Sequence, residues 1–147
     1  MKEKIVLFVK YFKPVYKAYY CICSLFVNVL KIFVRTDEKL ILINSFGGKK
    51  YDDSPKILCE AMRKDDRFLG YKFVCAFHQP EKFKVAGVKC IKTDTLEYFL
   101  TALKARCWIT NSSIERGLNF KGKRTFYFNT WHGTPIKKDG YRYQQKK

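Results

Sequence analysis

A chain of 147 residues is long enough to bury the core of one domain, and 47% apolar residues with 17% aromatics exclude a disordered segment. Thirty Lys and Arg against thirteen Asp and Glu give a formal charge of +17, which draws polyanions such as nucleic acid, anionic lipid or phosphate-bearing substrates. Six cysteines form no CxxC pair and mostly sit in apolar runs, which argues for a reducing compartment and against zinc or disulfides.

Residues 1–34 read as an amphipathic, membrane-associating helical segment. The longest uncharged run there, "AYYCICSLFVNVL", falls short of the roughly 20 residues a spanning helix needs. On a helical wheel Lys10, Lys13, Lys17, Cys21, Ser24, Asn28 and Lys31 form one narrow stripe beside a broad aromatic and aliphatic face. That pattern suits a helix lying in the plane of an anionic membrane surface, apolar side chains in the headgroup boundary and lysines on the lipid charge. The alternative is a helix packed on the protein's own core. Pro14 either kinks the helix or begins its main part.

From Lys39 the pattern alternates. "KLILIN" reads as a strand and "FGGKKYDDSP" as a turn, with Ser54 as N-cap and Pro55 as first position of a helix over "KILCEAMRKD". Strand "YKFVCAF", a turn at Gln79 and Pro80, and strand "VKCI" follow. Asp94 and Glu97 have capping-box spacing ahead of a helix carrying Leu96, Phe99, Leu100 and Leu103 on one face. Strands "CWIT" and "TFYFNTW" come last. Strands alternating with helices predict an α/β fold with a mostly parallel sheet.

In such sheets ligands bind beyond the carboxyl ends of the strands, and "TWHGTPIKK" begins there. Gly133 permits a sharp turn, while Thr134 and Pro135 suit a helix cap and first turn, so free amides would suit a phosphate. Lys137 and Lys138 add charge, and His132 can exchange a proton near neutral pH. Taken alone, a histidine at a strand end such as His132 is more often a structural hydrogen-bonder than a catalyst. His78 in "AFHQP" and the turn Asn111, Ser112 and Ser113 also follow strands, each with a structural reading beside a ligand-contact one. Trp108 and Trp131 read as packing residues.

"TWHGTPIKK", together with "SFGGKKYDDSPKILCEAM" upstream, resembles the CDP-glycerol glycerophosphotransferase family of teichoic acid polymerases and primases, over about residues 38–140. The resemblance implies that residues 38–147 form the Rossmann-like N-terminal domain of a GT-B transferase. It also implies transfer of glycerol phosphate from CDP-glycerol to a hydroxyl of a lipid-linked saccharide or poly(glycerol phosphate) acceptor. By resemblance His132 is the catalytic base, and His132, Gly133, Thr134, Pro135 and Ile136 contact CDP-glycerol. No metal and no cofactor are implied, and the expected location is the cytoplasmic face of the cell membrane, held peripherally. Ser54 stands where the family commonly has asparagine, and Gly47 where a more polar residue is frequent. The family's C-terminal domain is not in the sequence, so the expectation is a fragment that is inactive alone. A non-catalytic peripheral membrane protein is one alternative. A nucleic-acid-binding domain is another, disfavoured because no RNP, KH, zinc-finger or helix-turn-helix signature occurs, so nucleic acid is not an expected partner.

Overall fold

The structure is a computed structural model in which residues 13–131 are described. Helix α1 (Lys13–Phe33) leads into β1 (Asp37–Asn44), α2 (Asp53–Arg63), β2 (Lys72–Phe77), β3 (Lys89–Lys92), α3 (Leu96–Lys104), β4 (Ala105–Thr110) and β5 (Phe126–Asn129). The strands form one parallel sheet in the order β3-β2-β1-β4-β5. The chain runs outward from β1 through β2 to β3, then returns to place β4 and β5 on the other side of β1. Between β1 and β4, therefore, lies the topological switch point of the sheet, the place where open α/β sheets bind their ligands at the carboxyl edge.

Both faces of the sheet are buried, which is why β1 and β2 read as continuous apolar runs. On one face Leu42, Val74, Ala76 and Trp108 pack against Tyr98 and Ala102 of α3, Val27 of α1, and Ile114 and Phe120 of the loop before β5. The Trp108 indole N–H donates to Ala102 O at 2.9 Å, satisfying its one polar group inside the core. On the other face Ile41, Ile43, Phe77 and Ile109 pack around Cys59 of α2.

Two helix starts differ from the sequence reading. Helix α2 is capped by Asp52, whose side chain accepts the Asp53 amide, and not by Ser54, which falls in the first turn. An extended Asp carboxylate caps at least as well as a serine and comes earlier in the chain. Helix α3 is capped by Thr95, which accepts the Tyr98 amide at 3.3 Å, and not by Asp94. Asp94 has φ 60 and pairs with Arg116 instead.

Helix α1 is continuous from Lys13, so Pro14 sits in its first turn, where a missing N–H costs nothing. By length and composition Pro14–Phe33 is apolar enough to cross a membrane. It carries three faces. Tyr20, Cys23, Val27 and Leu30 pack on the core. Ser24 donates to Leu118 O at 3.1 Å and Lys31 to Lys121 O at 2.9 Å, so part of the polar stripe is tied to the domain. Tyr19, Ile22, Leu25, Phe26, Val29, Ile32 and Phe33 are exposed. The stripe's Lys10 lies outside the described residues.

Candidate functional site

The carboxyl edge between β1 and β4 is built from backbone held in unusual conformations by polar side chains. After Asn44 the chain turns through Phe46, Gly47 and Gly48, all at positive φ (48, 63 and 90). Gly48 is required there. A Cβ would stand 2.8 Å from Thr93 Cγ2 and 3.2 Å from Ala76 O, so neither the space nor the φ admits a side chain.

Asn111, fully buried at the end of β4, holds this turn from below. Its carboxamide oxygen accepts the Phe46 amide at 2.7 Å, and its nitrogen donates to the Asp53 carboxylate at 2.9 Å. Ser112 accepts the Gly47 amide at 2.9 Å. The turn after β4 thus fixes both the glycine loop and the first residue of α2. Ser45 Oγ donates to Asp52 O at 2.8 Å and closes the loop on itself. From the other side Arg116, itself at φ 53, donates to Gly47 O at 2.9 Å and pairs with Asp94 at 3.2 Å. Loops following β1, β3 and β4 are thereby locked together at one edge.

His78 lies beside this frame as a structural hydrogen-bonder. Its amide donates to Gly48 O at 2.8 Å, and its Nδ1 is 2.9 Å from Thr93 Oγ1. Asn111 and Ser112 serve as loop ties, and Trp108 is a packing residue of the core. Arg116 carried no signal in the sequence, because it sits in an irregular loop.

β5 delivers the chain to the same edge. Thr110 pairs with Asn129, and the Thr130 amide extends the ladder to Thr110 O at 2.8 Å. Asn129 Nδ2 donates to Ser112 O at 2.8 Å, tying the end of β5 to the turn after β4. Trp131, largely exposed and at φ 60, is the last described residue. The expected site residues His132, Gly133, Thr134, Pro135 and Ile136 lie outside the described residues. Among the described residues no cluster of His, Cys, Asp or Glu is arranged to hold a metal ion.

Comparison with known proteins agrees with this frame. The family model of CDP-Glycerol:Poly(glycerophosphate) glycerophosphotransferase matches residues 26–147. The teichoic acid poly(glycerol phosphate) polymerase of Staphylococcus epidermidis is 39% identical over 101 residues, covering 68% of this chain and 14% of that protein. The teichoic acid glycerol-phosphate transferase of Staphylococcus aureus is 32% identical over 111 residues, covering 71% of this chain and 26% of that protein. Among solved structures, the wall teichoic acid polymerase TagF, as a histidine-to-asparagine variant soaked with CDPG, is similar with a TM-score of 0.62 and 36% identity, over 68% of this chain and 24% of its own. The chain therefore spans well under half the length of these relatives. With the family model matched over most of its length and TagF similar in both sequence and fold, the chain belongs to the CDP-glycerol:poly(glycerophosphate) glycerophosphotransferase family.

Proposed function

We infer that the chain contributes the N-terminal, Rossmann-like half of a GT-B glycerophosphotransferase, in which residues 38–147 form the domain and residues 1–34 its membrane attachment. The reaction moves glycerol phosphate from CDP-glycerol to a hydroxyl of a lipid-linked or poly(glycerol phosphate) acceptor and releases CMP. The observation that carries this reading is the position of the "HGTP" motif. Two residues, Thr130 and Trp131, separate it from the end of β5, and that end is hydrogen-bonded to the turn after β4 that holds the loop after β1.

Phosphoryl transfer of this kind requires the acceptor oxygen to lose its proton as it attacks phosphorus, and positive charge around the phosphates. His132 takes the proton. Gly133, Thr134, Pro135 and Ile136 contact the CDP-glycerol side, aided by the charge of Lys137 and Lys138. The soak of TagF with CDPG supports the donor. The test is transfer itself: the chain extended by the remaining length of the Staphylococcus epidermidis polymerase should incorporate label from CDP-glycerol into a poly(glycerol phosphate) acceptor. Absence of transfer by a folded chimera contradicts the reading.

The free face of α1 supports peripheral attachment to the cytoplasmic face of the cell membrane. Helix α1 is held on the domain through Tyr20, Cys23, Val27 and Leu30, so it cannot cross hydrocarbon without giving up that face. Lying in the interface, α1 buries Ile22, Leu25, Phe26, Val29, Ile32 and Phe33 in lipid while its core face stays on the sheet.

A further inference from the structure

Trp131 leaves β5 at φ 60, in the left-handed region that a bulky aromatic residue enters only when its surroundings hold it there. Its side chain is 67% exposed, so burial in the described domain does little to offset the strain. Asn129 supplies a hold. Its Oδ1 accepts the Trp131 amide at 2.9 Å, an Asx turn in which a side chain closes on the backbone two residues later, while its Nδ2 donates to Ser112 O at 2.8 Å. Ser112 Oγ in turn accepts the Gly47 amide, so the grip is anchored in the loop after β1. The Thr130 amide still continues the sheet ladder to Thr110 O. The chain therefore turns out of strand geometry at Trp131, where Asn129 grips it and one residue before His132. Asn129 is itself exposed, which gives its two bonds little part in the core.

We propose that Asn129 is a positioning residue for the transfer of glycerol phosphate: its carboxamide fixes the direction in which the backbone leaves β5, and with it the place from which His132 meets the acceptor hydroxyl. The proposal rests on the reading of His132 as the base given above. A rotation at Trp131 swings everything that follows, and a displacement of about 1 Å at a reacting group costs about a hundredfold in rate. Asparagine performs both tasks at once. Its carboxamide offers an acceptor to the Trp131 amide and a donor to Ser112 O, whereas an aspartate offers only the acceptor and an alanine neither.

Two measurements test the proposal. In the 147-residue chain, hydrogen exchange followed by NMR should show the Trp131 amide at least tenfold less protected in Asn129→Ala, with the Thr130 amide within twofold of wild type. Unchanged protection of Trp131 overturns the proposal. In the chain extended by the remaining length of the Staphylococcus epidermidis polymerase, Asn129→Ala should lower kcat for CMP release at least tenfold, with KM for CDP-glycerol within twofold and circular dichroism showing folded protein. Asn129→Asp, which keeps the acceptor, should recover most of that loss. The pH profile separates a displaced base from a missing one: Asn129→Ala should keep the acidic limb of kcat, whereas His132→Ala should remove it. A kcat within twofold of wild type in Asn129→Ala, or an Asn129→Asp no better than the alanine variant, overturns the proposal and leaves the reading of His132 standing. An acidic limb that persists in His132→Ala overturns that reading and the proposal with it.

Discussion

The side chain of buried Asn111 and the half-buried Phe46 amide meet at 2.7 Å, a contact that joins the end of β4 to the turn after β1. Truncating Asn111 takes away both the oxygen that accepts the Phe46 amide and the nitrogen that donates to the Asp53 carboxylate. Asn111→Ala should therefore destabilise the chain by about 1–3 kcal/mol in urea unfolding, the scale of two lost hydrogen bonds, one of them to a charged group. Ser112→Ala, which removes only the hydroxyl that accepts the Gly47 amide, should cost about 1 kcal/mol. Equal, negligible effects would mean that the turn is held by other contacts.

Two glycines at similar φ predict different outcomes. Gly48 (φ 90) has backbone and Thr93 atoms within 3.2 Å of a built Cβ, whereas Gly70 (φ 80) meets only the mobile end of Lys39 at 3.7 Å. Gly70→Ala should cost about 1–2 kcal/mol for the left-handed backbone alone. Gly48→Ala should exceed it clearly, since steric overlap with the backbone is added. Thermal unfolding of the two variants side by side decides whether the overlap matters.

Membrane attachment through α1 predicts a separation between its faces. Ile22 and Ile32 are 68% and 78% exposed, so the double Asp variant should fold normally yet lose vesicle binding by at least about tenfold, given about 1.5–3 kcal/mol per buried side chain. Val27 is 2% exposed and Val27→Asp should unfold the domain instead. Sedimentation with anionic vesicles should weaken as salt rises, and Lys10, Lys13, Lys17 and Lys31 to Gln together should weaken it further. Circular dichroism checks the fold in each case.

Burial pushes the Cys107 thiol up to about 11. Because the folded value lies above the unfolded one of about 8.5, the stability it contributes is complete below that pH and is lost as pH rises toward the folded value. Between about pH 9 and 11 the wild type should lose stability faster than Cys107→Val, by at most about 1.4 kcal/mol per pH unit. Urea unfolding at several alkaline pH values measures the difference. Parallel slopes would show that the thiol is not shielded.

The sheet was legible because its strands are short apolar runs punctuated by Gly, Pro and Asp, and parallel sheets bury both faces. Helix starts were displaced by one or two residues, because Asp52 and Thr95 compete with nearby capping residues that the pattern alone ranks as well. Helix α1 shows a deeper limit. Its wheel separates the lysine stripe from everything apolar, yet Tyr20, Cys23, Val27 and Leu30 differ from Tyr19, Ile22, Phe26 and Val29 only in what tertiary structure places beside them. Likewise Asn111 and Arg116 occupy irregular segments without periodicity, and their hydrogen-bond partners Phe46, Asp53 and Gly47 are 58 to 69 positions away in sequence. The motif around His132 was legible by resemblance, and the frame that leads to it came from the sheet.

The most direct test of the proposed chemistry is CMP release from CDP-glycerol by the extended chain, comparing wild type with His132→Ala. If His132 takes the acceptor proton, release should fall about a hundredfold or more, the scale of lost general-base catalysis, while the unfolding midpoint stays unchanged. Near-normal turnover by the folded variant would contradict the assignment of His132 as the base.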